Sequence, residues 1–502
     1  MRSIYCVLCC LMSLTGCRPE NSHDIQISSS LPKLDSAFNW AKQKARSYVM
    51  TGYKGRLDVS ERSEGHDTVV YKPAYWAGYP HRSAFYSRDY CHQMCGAHLL
   101  GLQAENFFML ESFAASSTED RKWYPLWAMN FDGSVYRLDY VNDSCFVREV
   151  PAVFELVEKA WQQYLWTGNP ALLTDSVLWN FYTRATSDFV DMHDRIFPNG
   201  IAEGAGTGNI FDGVATYNES RDLPYIEAGD GVACQYQAYL AYAGMLQAKN
   251  EFEQAVQWIE KAKRVEELFN TRWVGSLNQG GYVRGFDRAG NSHTGFGRET
   301  SWFMLMKFIA KESLRNDIFL DFISDCLRRE KLYNIEAYTY LPDLFFAYNR
   351  PEEGWYWMNY IIDSRDSAHI VRNAGLNGDY PEVAYTLISS VVENLLGVKP
   401  GAPTHNVAVL PCLPSEISFL EVRNIIVGEH LIDVRHERGT MTRLRHISGK
   451  EPLKCKVSFY GFYPQIKVNG KLSPGVYTEN SGEGTTSVWF VLQPEQEAKI
   501  EI

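Results

Sequence analysis

Between about residue 36 and residue 398, apolar positions recur at three- and four-residue spacing in long segments. Loops containing Gly, Asn, Asp and Pro separate these segments. The spacing predicts helices over 90–102, 150–166, 172–193, 232–249, 251–269, 300–311, 315–330 and 382–396. Trp166-Thr167-Gly168-Asn169 ends one of them on a glycine stop, and Pro170 opens the next. The count comes to roughly a dozen helices, which predicts about six hairpins closing into a toroid. After about Pro400 the period changes to two. Strands are predicted over 407–410, 417–422, 425–427, 431–435, 454–459, 466–468, 486–492 and 498–502, with turns at Gly428, Gly439 and Asn469-Gly470. The predicted fold class is therefore mainly α: an (α/α)6 toroid over 34–399, followed by a small β-sandwich over 400–502.

The first residues follow neither pattern. Arg2 precedes a mostly apolar run from Ile4 to Leu14 that is too short to span a bilayer. The run ends in Leu14-Thr15-Gly16-Cys17, which resembles a bacterial lipobox. On that basis 1–17 is a lipoprotein signal, Cys17 carries lipid, and 18–33 is a polar, Ser-rich tether. The expected location is outside the cytoplasm, held to a bacterial envelope membrane only through the anchor. Four of the eleven cysteines fall in this signal, and the remaining seven are too scattered for a disulfide framework or a zinc site. A net charge of −11 and the lack of a basic run exclude a nucleic-acid partner.

Acids recur at the predicted helix starts: Ser87-Arg88-Asp89, Arg148-Glu149, Glu227-Ala228-Gly229-Asp230, Arg298-Glu299, Asn334-Ile335-Glu336 and Asp379-Tyr380-Pro381-Glu382. One such acid is ordinary helix capping. In a closed ring, however, the inner helix starts share one mouth, where partial positive charge and free amides accumulate. Aromatic residues crowd the same loops, among them Trp127, Tyr225 and Trp302. Flat aromatic faces stack on sugars while carboxylates grip hydroxyls. The Gly-rich stretch Glu203-Gly204-Ala205-Gly206-Thr207-Gly208-Asn209 lacks both the P-loop ending and the dinucleotide glycine spacing, so a nucleotide cofactor is not expected. No other cofactor or metal is expected.

On these motifs the chain resembles the six-hairpin glycosidases, which include glucoamylases, trehalases and α-L-rhamnosidases. The Arg88-Asp89 pair resembles the pair that holds the sugar next to the scissile bond. Tyr225-Ile226-Glu227 is similar to a general-acid loop, and Asp379-Tyr380-Pro381-Glu382 falls where such enzymes place the general base. The resemblance implies an inverting hydrolase of oligo- or polysaccharide, with Glu227 as acid and Glu382 as base. Asp230 is the second candidate acid, and Glu203 and Glu299 are further ones. Arg88, Asp89, Trp127, Glu203, Tyr225, Asp230, Glu299 and Trp302 are the expected sugar-binding set. Rhamnosidase-like members carry additional acids just after the Arg-Asp pair. Here Tyr90, Cys91, His92 and Gln93 stand instead.

Two other functions fit the same pattern. One is a surface glycan-binding protein on an inactive toroid. The other is a polysaccharide lyase using Tyr90, His92 or Asn209. His92 itself reads as a satisfied core or rim histidine.

Overall fold

The computed structural model describes residues 24–219, 223–332, 334–371, 374–479 and 484–502. The expected signal and Cys17 lie outside the described residues. No described helix is long and apolar enough to cross a membrane.

The helices in chain order are α1 (Pro32–Ser47), α2 (Ser87–Leu99), α3 (Gln103–Ser116), α4 (Val150–Thr167), α5 (Ala171–Thr174), α6 (Ser176–Thr186), α7 (Asp188–His193) and α8 (Gly229–Ala248). They continue as α9 (Phe252–Arg272), α10 (Glu299–Met306), α11 (Ser313–Arg329), α12 (Ile335–Tyr338), α13 (Leu341–Ala347), α14 (Pro351–Ser364) and α15 (Pro381–Ser389). An inner circuit runs α2, α4, α8, α10, α13, then the end of α15 and its continuation, and back to α2, each packed on the next. Outer partners cover it: α3 and α6 together, α9 on α8, α11 on α10, α14 on α13, and α1 on α15. The sequence dictates this division. All nine residues of α15 and fifteen of the twenty of α8 are buried, whereas only Ala255, Ala262, Val265 and Phe269 are buried on α9. Close approach of inner helices requires glycine at Gly96, where a Cβ would stand 2.2 Å from the Tyr385 carbonyl oxygen.

Several expected elements end differently. The helix predicted over 172–193 is three pieces, because Asp175 interrupts it and caps α6 by accepting the Val177 and Leu178 amides at 2.9 and 3.0 Å. The helix predicted over 300–311 stops at Met306, and the one over 382–396 passes into a π-helical turn, Ser390–Leu395. The motif Tyr225-Ile226-Glu227 belongs to a strand, Tyr225–Ala228, in a small sheet with Gly285–Asp287 and Ser292–His293.

The C-terminal strands form two sheets. One has seven strands and the other five, and both bury alternate residues such as Val422, Val434, Val407 and Val457. The stretch expected as a tether contributes to this body. Gln26–Ser29 is the edge strand of the larger sheet, paired antiparallel with Phe419–Val427, and Lys42 donates to the Ile25 carbonyl at 2.6 Å. Val398–Gly401 crosses the expected domain boundary as a strand of the smaller sheet. The seven cysteines among the described residues are free thiols, most of them buried.

Candidate active site

A cavity of about 690 Å³ opens at the N-terminal ends of the inner helices. Arg88 and Asp89 reach it from the first turn of α2, Glu299 from α10, Glu336 from α12 and Glu382 from α15. Tyr79, Tyr86, Trp127, Tyr217, Tyr340 and Tyr380 supply aromatic wall, and Asp139 and Glu219 add two further acids. Buried acids persist here because helix N-termini supply positive potential and unpaired amides.

Glu382 is the most elaborately held of these groups. His92 of α2 places Nδ1 against the Glu382 carboxylate and Nε2 3.1 Å from Asp343 of α13. The Tyr340 ring stacks on the imidazole, with centroids 3.9 Å apart. Asn394, presented by the π-helical turn, donates to the other Asp343 oxygen at 2.6 Å. Both ring nitrogens face carboxylates, so the ring is held as a cation. Burial opposes that charge, yet Glu382 and Asp343 outweigh it and raise His92 to about 9. Burial raises Glu382 to about 7 despite the pull of His92, with Asp89 raising it further and Arg88 opposing. A carboxylate poised near neutrality is what general-base chemistry needs.

Asp89 accepts from the Tyr380 hydroxyl, and burial raises its pKa against the pull of Arg88. Arg88 donates to the Tyr217 carbonyl at 2.9 Å and to Glu219 at 3.1 Å. Trp127 donates to Glu149 at 3.0 Å, leaving the other Glu149 oxygen buried with no hydrogen-bond partner among the described residues. Glu336 Oε1 is in the same condition, whereas Glu299 Oε2 pairs with the Arg298 guanidinium at 3.3 Å. Two buried carboxylate oxygens without a hydrogen-bond donor among the described residues, on or beside one cavity, are acceptors for protons or hydroxyls.

The remaining expected residues lie elsewhere. Glu227 is fully buried but does not line the cavity. Its oxygens are taken by Arg272 of α9 at 2.5 Å and by Asn199 at 2.6 Å. Glu203 accepts the amides of Arg195, Ile196 and Phe197, which shapes a loop. Asp230 accepts the Tyr217 amide at 2.7 Å and the Thr216 hydroxyl at 2.8 Å, so it holds the wall segment rather than facing the cavity. Burial raises it to about 7. Tyr225 and Trp302 are buried in packing, away from the cavity lining. Tyr90 is buried and donates to the Asn106 carbonyl, and Asn209 accepts the Phe211 amide.

Two outcomes follow. Glu227→Ala strands Arg272, so thermal unfolding should detect a loss of roughly 1–3 kcal/mol, while kcat stays within about threefold of the parent. Equal unfolding with abolished turnover would show that Glu227 acts in the chemistry. His92→Gln removes the cation beside Glu382, so burial acts unopposed by it. The acid limb of the kcat/KM profile should move upward from near 7 by about one unit or more. An unmoved limb would separate His92 from the base.

No family model and no curated protein matches the sequence. Solved structures are similar in fold. An α-L-rhamnosidase from Dictyoglumus thermophilum superposes with a TM-score of 0.60 at 12% identity, covering 96% of this chain and 50% of that one. A rhamnosidase of Bacillus sp. GL1 gives 0.60 at 10% identity, covering 87% and 43%. A Klebsiella oxytoca rhamnosidase with rhamnose bound gives 0.51 at 10%, covering 72% and 64%. The chain spans about half the length of the first two of these enzymes. The helical circuit and the β-domain after it are thus a fold this chain shares with these rhamnosidases.

Proposed function

We propose that the chain is a glycoside hydrolase that cleaves an oligo- or polysaccharide in the cavity at the inner helix starts, with inversion at the anomeric carbon. The observation that carries this is the Asp343–His92–Glu382 chain, which ends on a cavity walled by tyrosines, Trp127 and carboxylates. Glu382 is the general base, activating water on one face of the sugar. Glu299 is the general acid, because its buried carboxyl lines the same cavity, where Oε2 stands 3.3 Å from the Arg298 guanidinium. This replaces Glu227, whose carboxylate is committed to Arg272 and Asn199. Asp89, Arg88 and Glu336 bind hydroxyls. An inverting pair leaves room for a water, with carboxyl groups roughly 6.5–9.5 Å apart.

The cavity volume suits one or two sugar rings. Its arginines are already engaged: Arg82 with Tyr86 and Glu61, Arg88 with Glu219, Arg298 with Asn218 and Glu299. Neutral sugars are therefore favoured over uronates. His92 does not line the cavity and is enclosed by two carboxylates, which disfavours it as a lyase base. Export and a lipid on Cys17 complete the proposal from the sequence of 1–17 alone; intact-mass analysis of membrane-fraction protein from Cys17→Ser and the parent tests that part. The enzymatic proposal is tested by incubating a panel of neutral oligosaccharides with the parent and Glu382→Gln and measuring new reducing ends. Release by the parent alone supports it. Binding without cleavage by both would make the protein a glycan-binding module.

A further inference from the structure

We infer that His405, Glu429 and His430 form a site for one divalent transition-metal ion with the ligand preference of zinc, at the root of the β-domain. One ligand atom from each lies within 4.8 Å of the others. His405 Nδ1 is 3.0 Å from His430 Nε2 and 3.9 Å from Glu429 Oε1. A tetrahedral zinc with bonds of about 2.0–2.1 Å holds its ligand atoms roughly 3.4 Å apart, so small side-chain adjustments bring all three onto one ion.

The hydrogen bonds behind His430 set it up as a ligand. His446 Nδ1 is 3.2 Å from the Leu492 carbonyl oxygen, which can only accept. With one proton per ring, that proton sits on His446 Nδ1, and His446 Nε2 presents a lone pair. His430 Nδ1, 3.1 Å away, must then donate to it. The consequence is that His430 Nε2 carries no proton and directs a lone pair at His405 Nδ1, which donates to it without metal and passes its proton to its own Nε2 when an ion binds. A metal-binding histidine is held by this kind of second hydrogen bond. Glycine at 449 leaves room for the arrangement: a Cβ there would stand 2.5 Å from His430 Nδ1 and 2.7 Å from His446 Nε2.

The chemistry of the set is two imidazoles and a carboxylate, which suits zinc better than calcium or magnesium. His430 is buried, His405 half-buried and Glu429 exposed, so an ion has an open path and a fourth position for water. None of the three lines the sugar cavity. Bound metal would tie the connector leaving Ala402–Thr404 to the strand His430–Glu437, joining the smaller sheet to the larger. The sequence hides this site, because the histidines are 25 and 16 positions apart.

The test uses the full chain, stripped with a chelator and titrated with zinc chloride by calorimetry. One equivalent should bind with a Kd of micromolar or tighter, and the melting temperature should rise with free zinc. His405→Ala and Glu429→Gln, at accessible positions, should each weaken binding at least tenfold while melting like the parent without metal. Cobalt in place of zinc should give visible absorption that His430→Ala abolishes. Failure of the stripped chain to bind zinc, or equal affinity in His405→Ala and Glu429→Gln, would overturn the site.

Discussion

Glu382→Gln is expected to lower kcat by about 10²–10⁴-fold on every substrate the enzyme cleaves, whatever the leaving group. The amide keeps the shape of the carboxyl and a hydrogen-bond acceptor for His92, but it cannot take a proton from water. Because burial already disfavours charge at this position, removing the charge should not unfold the protein, and the melting temperature should stay within about 5 °C of the parent. The parent's own kcat/KM should fall below pH 7 as Glu382 is protonated, with His92 cationic throughout that range because its pKa is raised to about 9. Retention of more than a tenth of the parent rate by Glu382→Gln would remove it from the mechanism.

Glu299→Gln should behave differently, and the contrast carries the assignment. A general acid protonates the departing oxygen, so its loss matters in proportion to how poor the leaving group is. On natural oligosaccharides the loss should be about 10²–10⁴-fold. On aryl glycosides with a strongly acidic phenol or on glycosyl fluorides, which leave without protonation, kcat should be within about tenfold of the parent. An equal loss on both substrate classes would assign Glu299 to binding rather than acid catalysis. In that event Asp89 or Asp139, both on the cavity and both raised by burial, the latter to about 6, become the acids to test.

Much of the architecture is readable in the residues because its causes are local. The all-round burial of α8 and the one-sided apolar stripe of α9 are written in their sequences. The acids at helix starts are readable for the same reason, since the first turn of each inner helix carries its own signal. Asp89, Glu299, Glu336 and Glu382 all reach the cavity. The choice among them is not local. Tyr225-Ile226-Glu227 reads as the approach to a helix, but the helix begins at Gly229, and Glu227 sits on a strand facing Arg272, 45 residues further on. His92 reads as a core histidine because its partners, Asp343 and Glu382, are 251 and 290 residues away. The Ser-rich stretch before α1 reads as a tether, yet Gln26–Ser29 gains its partner almost four hundred residues later, on Phe419–Val427. Long-range pairing of this kind leaves no periodic trace.

On the proposed mechanism, water is added across a glycosidic bond under the control of Glu382. Running the reaction in oxygen-18 water and weighing the products by mass spectrometry reads this addition out. The predicted product is a saturated sugar with one oxygen-18 at its new reducing end, formed by the parent and not by Glu382→Gln. An unlabelled, unsaturated product absorbing in the ultraviolet, or undiminished label incorporation by Glu382→Gln, would contradict it.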